Sequence, residues 1–284
     1  MKNKFKAVLR LIRPANCFMM GFAVIVGALM AKGTGVTEKW IEVIMGFLTG
    51  FTLTAASMVV NDYYDREIDA INQPDRPIPS GIVTPNQAIF LALIFTVVGF
   101  GSAALINFPC FLIAIASYVV SVTYSTVGKK TGLLGNFMVS ACVAIPFIFG
   151  NFLVERFDLA VFLFAAMAFL SNTGREITKG IADIKGDKAR NIKTLAVRRG
   201  EKTAALGAAF FYLTAVALTP LPLIWSLVSF WFLPFVAVTN TGLIVSSLAL
   251  LRDCSSQNAR KIKNAVLLWF VFGLLAFLFG TSDL

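Results

Sequence analysis

The chain has 284 residues, enough for one large domain or two small ones, and its formal net charge is +10. Hydrophobic residues make up 57% of the sequence, charged residues 14%, and the mean hydropathy is +0.79. This composition excludes a water-soluble globular protein, because so few charged side chains could not cover its surface. The absence of histidine excludes Ser–His and Cys–His catalysis and His-ligated zinc or haem.

Nine apolar segments are long enough to cross a bilayer as helices. In chain order they are 15–31, 41–60, 87–106, 109–127, 133–153, 158–174, 203–221, 229–251 and 264–280. The basic stretch before the first segment resembles the start of a signal peptide, but no small-residue cleavage site follows, so we interpret this segment as a retained span. We therefore predict a single all-α polytopic membrane domain over 1–284 with nine transmembrane helices.

Positive charge is concentrated on one side of this arrangement. With the N-terminus in the cytoplasm, all of the 25 Lys and Arg residues except Lys32, Lys39 and Arg156 fall in inner segments. The positive-inside rule then predicts a cytoplasmic N-terminus and an outer C-terminus in the cell membrane. Topology and anionic lipid headgroups account for the net charge, so we expect the lipid bilayer as a partner and no nucleic acid.

An acidic motif follows the second apolar segment, with the sequence Asn61-Asp-Tyr-Tyr-Asp-Arg-Glu-Ile-Asp69. If the helix continues through it, a rotation of about 100° per residue places Asp62, Asp65 and Asp69 on one stripe and turns Glu67 away. Like charges on one face destabilise a helix, most of all near a bilayer, so such a stripe suggests a bound cation. Carboxylate and amide oxygens favour Mg²⁺ or Ca²⁺ over zinc.

A second stripe follows the sixth apolar segment, where Glu176, Lys179, Asp183 and Asp187 recur at helical spacing. Both stripes lie in the long connections 61–86 and 175–202, which the predicted topology places in the cytoplasm. A solvated acidic loop that pairs with its own basic residues is the alternative for either motif alone. The two connections are also weakly similar, which suggests a parallel duplication that turns both motifs towards one cavity.

Basic residues at the same predicted membrane face complete a candidate diphosphate site. They are Arg76, Lys129, Lys130 and Lys179. A diphosphate site needs acidic side chains that bind a metal ion. It also needs basic side chains that bind the phosphate oxygens which the metal ion leaves free. Lys129 and Lys130 are equally well explained as topology anchors, and Lys179 could pair with Asp183 one turn away.

These motifs resemble those of the UbiA-type intramembrane prenyltransferases. The 61–69 segment is similar to the NDxxDxxxD motif of that family, and Asp183-Ile-Lys-Gly-Asp187 is similar to its DxxxD motif. The segments Arg13–Asn16, Asn72–Gly81, Gly174–Asp187 and Thr194–Val197 are closest to the archaeal branch, which forms the second ether bond of archaeal lipids. The resemblance covers nearly the whole chain and implies a helical bundle with a central cavity open to the cytoplasmic side.

The resemblance also implies an activity, namely Mg²⁺-dependent transfer of a geranylgeranyl group from its diphosphate to the free hydroxyl of geranylgeranylglyceryl phosphate. It implies that the metal–diphosphate unit is bound by Asn61, Asp62, Asp65, Asp69, Asp183 and Asp187, whose five aspartates are the catalytic candidates. Asn16 and Arg13 are candidates for binding the acceptor, although a helix–helix hydrogen bond explains Asn16 equally well.

Two alternatives remain at this point. A UbiA-type enzyme with an aromatic acceptor, of the quinone, haem O or chlorophyll type, would share the scaffold and the donor motifs. A cation transporter would also place carboxylates in membrane helices, but its binding site is expected near the bilayer midplane on broken helices. The motifs here begin at the ends of spans, which favours the enzyme.

Overall fold

Helices make up the regular structure of the computed structural model, which describes residues 2–189 and 191–281. The α-helices are α1 (Lys2–Ile12), α2 (Pro14–Lys32), α3 (Trp40–Asn72), α4 (Pro85–Ile106), α5 (Phe108–Thr126), α6 (Leu133–Leu153), α7 (Leu159–Ala182), α8 (Ile184–Ala189), α9 (Leu195–Arg199), α10 (Glu201–Leu218), α11 (Leu221–Ile224), α12 (Phe232–Arg252) and α13 (Ser256–Thr281). Two 3₁₀ helices, Gly33–Lys39 and Gly128–Lys130, lie between α2 and α3 and between α5 and α6. The predicted all-α class is confirmed.

Every predicted apolar segment lies on one of the long helices. Within residues 2–189 and 191–281, seven helical stretches are long and apolar enough to cross a membrane, and one of these, Pro14–Ile71, contains the first two predicted segments. Helix α7 is not among the seven, since its second half carries polar and charged residues from Ser171 onward. The protein is therefore a multi-pass helical membrane protein, and the number nine stays a prediction.

The helices group into two compact units. The first contains the described residues of Met1–Ala28, Gly35–Thr126 and Ile145–Arg156, and the second those of Leu29–Thr34, Val127–Ala144 and Phe157–Leu284. The first acidic motif thus belongs to the first unit and the second motif to the second unit. The single-domain expectation for 1–284 stays a prediction.

Glycines bring helices of the first unit into close contact. A Cβ atom added to Gly27 of α2 would clash with the carbonyl oxygen of Phe147 on α6, and one added to Gly150 of α6 would clash with that of Val24 on α2. Small residues at such crossings let two backbones approach closely, which is how helices pack in a membrane where lipid competes with apolar side chains.

A one-residue link joins α4 to α5. Asn107 has an extended backbone, and its side-chain oxygen accepts a hydrogen bond from the Cys110 N–H at 2.8 Å. Its side-chain nitrogen donates to the carbonyl oxygen of Phe152 at 3.0 Å. The tight hairpin expected from the two-residue separation of these segments is therefore confirmed, and Asn107 provides an acceptor for an N–H in the first turn of α5, where helical partners are missing.

The second unit is built around α7, which packs against α10 and α13. Its C-terminal half is almost completely buried, and the hydroxyl groups of Thr178 on α7 and Tyr212 on α10 hydrogen-bond at 3.0 Å. Tyr212 is fully buried, and a Cβ added to Gly174 would lie 2.8 Å from its ring. This packing fixes the end of α7, from which the second motif emerges.

Candidate functional site

The first motif lies on a continuous helix, which is the condition on which its predicted acidic stripe depends. Helix α3 runs for 33 residues and ends at Asn72, so the three aspartates of the motif share one face. Asp62 and Asp69 are buried, with 4% and 7% of their surface exposed, and Asp65 is half-buried. Glu67 is exposed, as its angular position on the helix predicts. The buried face of α3 therefore carries the motif.

Two arginines neutralise the negative charge of Asp62 and Asp69 on this face of α3. Nη1 of Arg76 lies 2.6 Å from Oδ2 of Asp69 and 3.3 Å from Oδ1 of Asp62, and Nη2 of Arg13 lies 2.7 Å from the same Oδ1 atom. Two buried carboxylates without such partners would be costly, because burial removes the water that stabilises their charge. The pairing with basic residues matches one part of the alternative explanation of the sequence, whereas its solvated loop does not hold, because Asp62 and Asp69 are buried on a helix.

Arg13 reaches Asp62 from the junction of α1 and α2. Its backbone φ is 51°, a left-handed conformation that is uncommon for a residue other than glycine. Helix α1 is anchored by Ala7 and Leu11, which join Val59 of α3 in one apolar cluster. Asn16, the other predicted acceptor-binding residue, is exposed in the first turn of α2.

Arg76 is held by the loop between α3 and α4. Its backbone N–H donates to the carbonyl oxygen of Gln73, its Nε donates to the side-chain oxygen of the same residue at 2.9 Å, and its carbonyl oxygen accepts from the N–H of Ser80. Ile78 and Val83 are buried in the apolar cluster of the first unit and anchor the loop there. The loop therefore orients Arg76 towards α3.

Asn61 and Asp65, the remaining predicted metal ligands of the first motif, are also connected. The side-chain nitrogen of Asn61 donates to Oδ2 of Asp65 at 3.2 Å. Arg66 turns away from this face, since its guanidinium donates to the carbonyl oxygen of Tyr63, lies over the Tyr63 ring and contacts Glu67. Arg66 is thus a neighbour of the motif without being part of it.

The second motif departs from the expected continuous helix. Helix α7 ends at Ala182, Asp183 is non-helical, and α8 begins at Ile184. The break arises where the hydroxyl of Ser256 on α13 donates to the carbonyl oxygen of Ala182, which is the last of α7. The N–H of Asp187 still donates to the carbonyl oxygen of Asp183, so one helical turn separates the two aspartates.

Basic residues also surround the second motif. Asp183 lies 3.7 Å from both Arg260 and Lys263 of α13, and the buried Glu176 pairs with Arg175 at 3.1 Å and with Lys179 at 3.2 Å. Sequence reasoning missed Arg260 and Lys263. Their spacing of three residues at the start of the last helix is the signal that could have identified them, since it places both on one face.

The predicted lysine pair lies in the same unit as the second motif. Lys129 and Lys130 form the 3₁₀ helix before α6, where Lys129 is half-buried and Lys130 is exposed. The carbonyl oxygen of Lys130 accepts a hydrogen bond from the N–H of Lys193, which follows the motif. The structure thus brings the backbone of this lysine pair next to the chain that leaves the second motif.

The donor chemistry of the first motif fits a hard divalent cation. Among residues 2–189 and 191–281, no three acidic, cysteine or histidine side chains are grouped closely enough to hold a metal ion as they stand. However, one nitrogen of Arg76 lies between carboxylate oxygens of Asp62 and Asp69, so a positive group already occupies the space between them. Carboxylate and amide oxygens on this face suit Mg²⁺.

Comparison with known proteins gives consistent matches. Residues 20–272 match the UbiA prenyltransferase family. Digeranylgeranylglyceryl phosphate synthase of Methanopyrus kandleri is 38% identical over 273 residues, which cover 96% of this chain and 98% of that protein. A solved structure of digeranylgeranylglyceryl phosphate synthase is 30% identical with a TM-score of 0.90, covering 99% of this chain and 100% of that one. The structure of a UbiA homologue from Archaeoglobus fulgidus bound to GPP and Mg²⁺ shares the fold, with a TM-score of 0.64. It is 18% identical in sequence, and the match covers 95% of this chain and 99% of that one.

Proposed function

Since this chain belongs to the UbiA prenyltransferase family and is a prenyltransferase, we propose that it transfers a geranylgeranyl group from its diphosphate to the free hydroxyl of geranylgeranylglyceryl phosphate. The synthase names of its relatives support this acceptor over an aromatic one. The family match likewise favours an enzyme over the cation transporter. The Mg²⁺ and GPP bound by the Archaeoglobus fulgidus homologue support a Mg²⁺-dependent donor site.

The observation that carries the proposal is the buried face of α3. There Asp62 and Asp69 bring carboxylate oxygens to within hydrogen-bonding distance of one guanidinium group. Oxygen donors and a cation on one face are what a metal–diphosphate group requires. We assign binding of this group to the two motifs, with the oxygen donors Asn61, Asp62, Asp65, Asp69, Asp183 and Asp187.

Mg²⁺ bound there would neutralise the charge that develops on the diphosphate as its bond to C1 of the prenyl group breaks. Arg76, Lys129, Lys130 and Lys179 would bind the outer oxygens of the leaving diphosphate. Fixed positive charges at a leaving group stabilise the transition state more than the ground state, and this is their contribution to the rate.

The acceptor needs a cation for its phosphate and a base for its hydroxyl proton. Arg13 is suited to the phosphate, since 36% of its side chain is exposed while its guanidinium reaches Asp62. Asn16 lies exposed beside it. The sequence contains no histidine, so the proton passes to a motif carboxylate or to the released diphosphate.

The test is prenyl transfer by purified protein with Mg²⁺, labelled geranylgeranyl diphosphate and geranylgeranylglyceryl phosphate. Asp62→Asn and Asp69→Asn should each lower kcat/KM by at least about 100-fold, because each removes a charged oxygen donor that acts on the leaving group. Glu67→Gln is the matched control, since Glu67 is exposed on the same helix, and it should stay near wild type.

Near wild-type transfer by both aspartate variants would contradict the metal-binding assignment. Offering hydroxybenzoate beside the glycerol phosphate ether tests the acceptor separately. Transfer to hydroxybenzoate alone would overturn the lipid assignment and leave the donor site intact.

A further inference from the structure

The two arginines at the first motif balance its buried carboxylates. Oδ1 of Asp62 has a guanidinium nitrogen of Arg13 at 2.7 Å and one of Arg76 at 3.3 Å, and Arg76 also reaches Asp69 at 2.6 Å. Two positive groups therefore face two buried negative ones. Another cation must compete with these guanidinium groups for the same carboxylate oxygens.

Free Mg²⁺ is a poor competitor for these carboxylates. It gives up its waters reluctantly, and a displaced guanidinium would remain next to a divalent cation with no anion of its own. A Mg²⁺–diphosphate complex is a better competitor, because its phosphate oxygens offer the displaced guanidinium a two-pronged, charge-assisted partner. The first motif should thus bind the Mg²⁺–diphosphate complex much more tightly than free Mg²⁺.

The geometry of Arg76 suits an exchange of partners. Its side chain is 24% exposed, and hydrogen bonds to Gln73 and from Ser80 hold its backbone. Rotation of the side chain is sufficient to move the guanidinium from the aspartates to a neighbouring anion, and the loop can stay in place. Arg13, at 36% exposure, has similar access to solvent.

On this basis we propose that Arg76, supported by Arg13, is an internal counter-ion that holds Asp62 and Asp69 until the donor arrives. Free Mg²⁺ binds weakly to this motif, and Mg²⁺ enters together with the diphosphate, to which Arg76 then transfers. The inference rests on the proposed function, since it assumes that the motif binds Mg²⁺–diphosphate. Binding of the metal and the diphosphate is therefore ordered, and Arg76 acts before the reaction begins.

The experiment measures binding through thermal unfolding of the purified protein in detergent, without any turnover. Wild type, Arg76→Gln and Arg66→Gln are titrated with Mg²⁺ alone and with Mg²⁺ plus inorganic diphosphate. Wild type should be stabilised by Mg²⁺ only when diphosphate is present. Arg76→Gln should respond to Mg²⁺ alone, with a half-saturating concentration at least about tenfold below that of wild type, because its carboxylates have lost a competitor.

Arg66→Gln is the matched control. It removes the same charge, from the helix that carries the aspartates, yet Arg66 contacts Tyr63 and Glu67 and does not contact the paired aspartates in the described structure. It should titrate like wild type. Arg76→Lys retains the positive charge and should also need diphosphate.

Unchanged Mg²⁺ dependence in Arg76→Gln, or equal stabilisation of wild type by Mg²⁺ with and without diphosphate, would overturn the counter-ion role alone. No response of any form to Mg²⁺ plus diphosphate would overturn the proposed donor site as well. If Arg76→Gln does not fold, the wild-type titrations decide the proposal on their own. Equal stabilisation of wild type by Mg²⁺ with and without diphosphate would then reject it.

Discussion

At the scale of residues, the acidic motifs are defined as much by their basic neighbours as by their own carboxylates. Asp62 pairs with Arg13 across 49 positions of sequence, and Asp183 has Arg260 and Lys263 within 4 Å. The aspartates could be identified from their spacing within one segment. The pairing of each aspartate with these basic residues could not, because it depends on which helices pack together.

Arg13 allows a prediction about the acceptor. Arg13→Gln should raise the KM for geranylgeranylglyceryl phosphate by about tenfold or more, since a charge-assisted hydrogen bond to phosphate contributes about 1.5–3 kcal/mol. The KM for geranylgeranyl diphosphate should change much less. Steady-state kinetics with each substrate varied in turn would measure both constants.

Arg10→Gln controls for net charge, because Arg10 is exposed on α1 three residues before Arg13. An equal rise in both KM values in Arg13→Gln would show that Arg13 acts through Asp62 and does not bind the acceptor.

At the scale of elements, close helix crossings stabilise the first unit. Gly27→Ala should lower the free energy of unfolding by about 1–3 kcal/mol, because the added methyl group would clash with the backbone of α6. Thermal unfolding of the purified protein would show this as a lower Tm.

Gly101→Ala on α4 is the matched control, since an added Cβ there meets nothing within 4 Å. Alanine also favours a helix over glycine, so this variant should be neutral or slightly more stable. A Tm for Gly27→Ala as high as that for Gly101→Ala would contradict the predicted importance of the crossing.

Local sequence predicted those elements that local forces determine. The shared face of Asp62, Asp65 and Asp69 follows from helical spacing once α3 continues, and the hairpin at Asn107 follows from the short separation of two apolar segments. The break of α7 at Asp183 was not predicted. The last carbonyl oxygen of this helix accepts a hydrogen bond from the hydroxyl group of Ser256, which lies 74 residues later in the chain. Helix ends that depend on a distant side chain leave no signal in the segment itself.

At the scale of the whole molecule, topology is the main expectation to test. Seven helical stretches of the described chain meet the length and composition of a membrane span, while nine segments were predicted, because Pro14–Ile71 holds two of them and α7 is too polar towards its end. An odd number of spans places the two termini on opposite sides of the membrane.

Reporter fusions should therefore give opposite results at the two ends. A C-terminal alkaline phosphatase should be active, because the enzyme folds only outside the cytoplasm, and an N-terminal fusion should be inactive. A C-terminal fluorescent protein that folds only in the cytoplasm is the complementary control. Phosphatase activity at both ends, or at neither, would indicate an even number of spans.

The pairing of Arg13 with Asp62 has a practical consequence for the N-terminus. A short amphipathic helix ahead of the first span is the kind of segment usually trimmed to improve expression. Here that trimming would remove Ala7 and Leu11 from the packing around α3, and a cut that also removes Arg13 would take a guanidinium partner from the buried Asp62. A shortened protein could thus retain every aspartate and still have a damaged donor pocket.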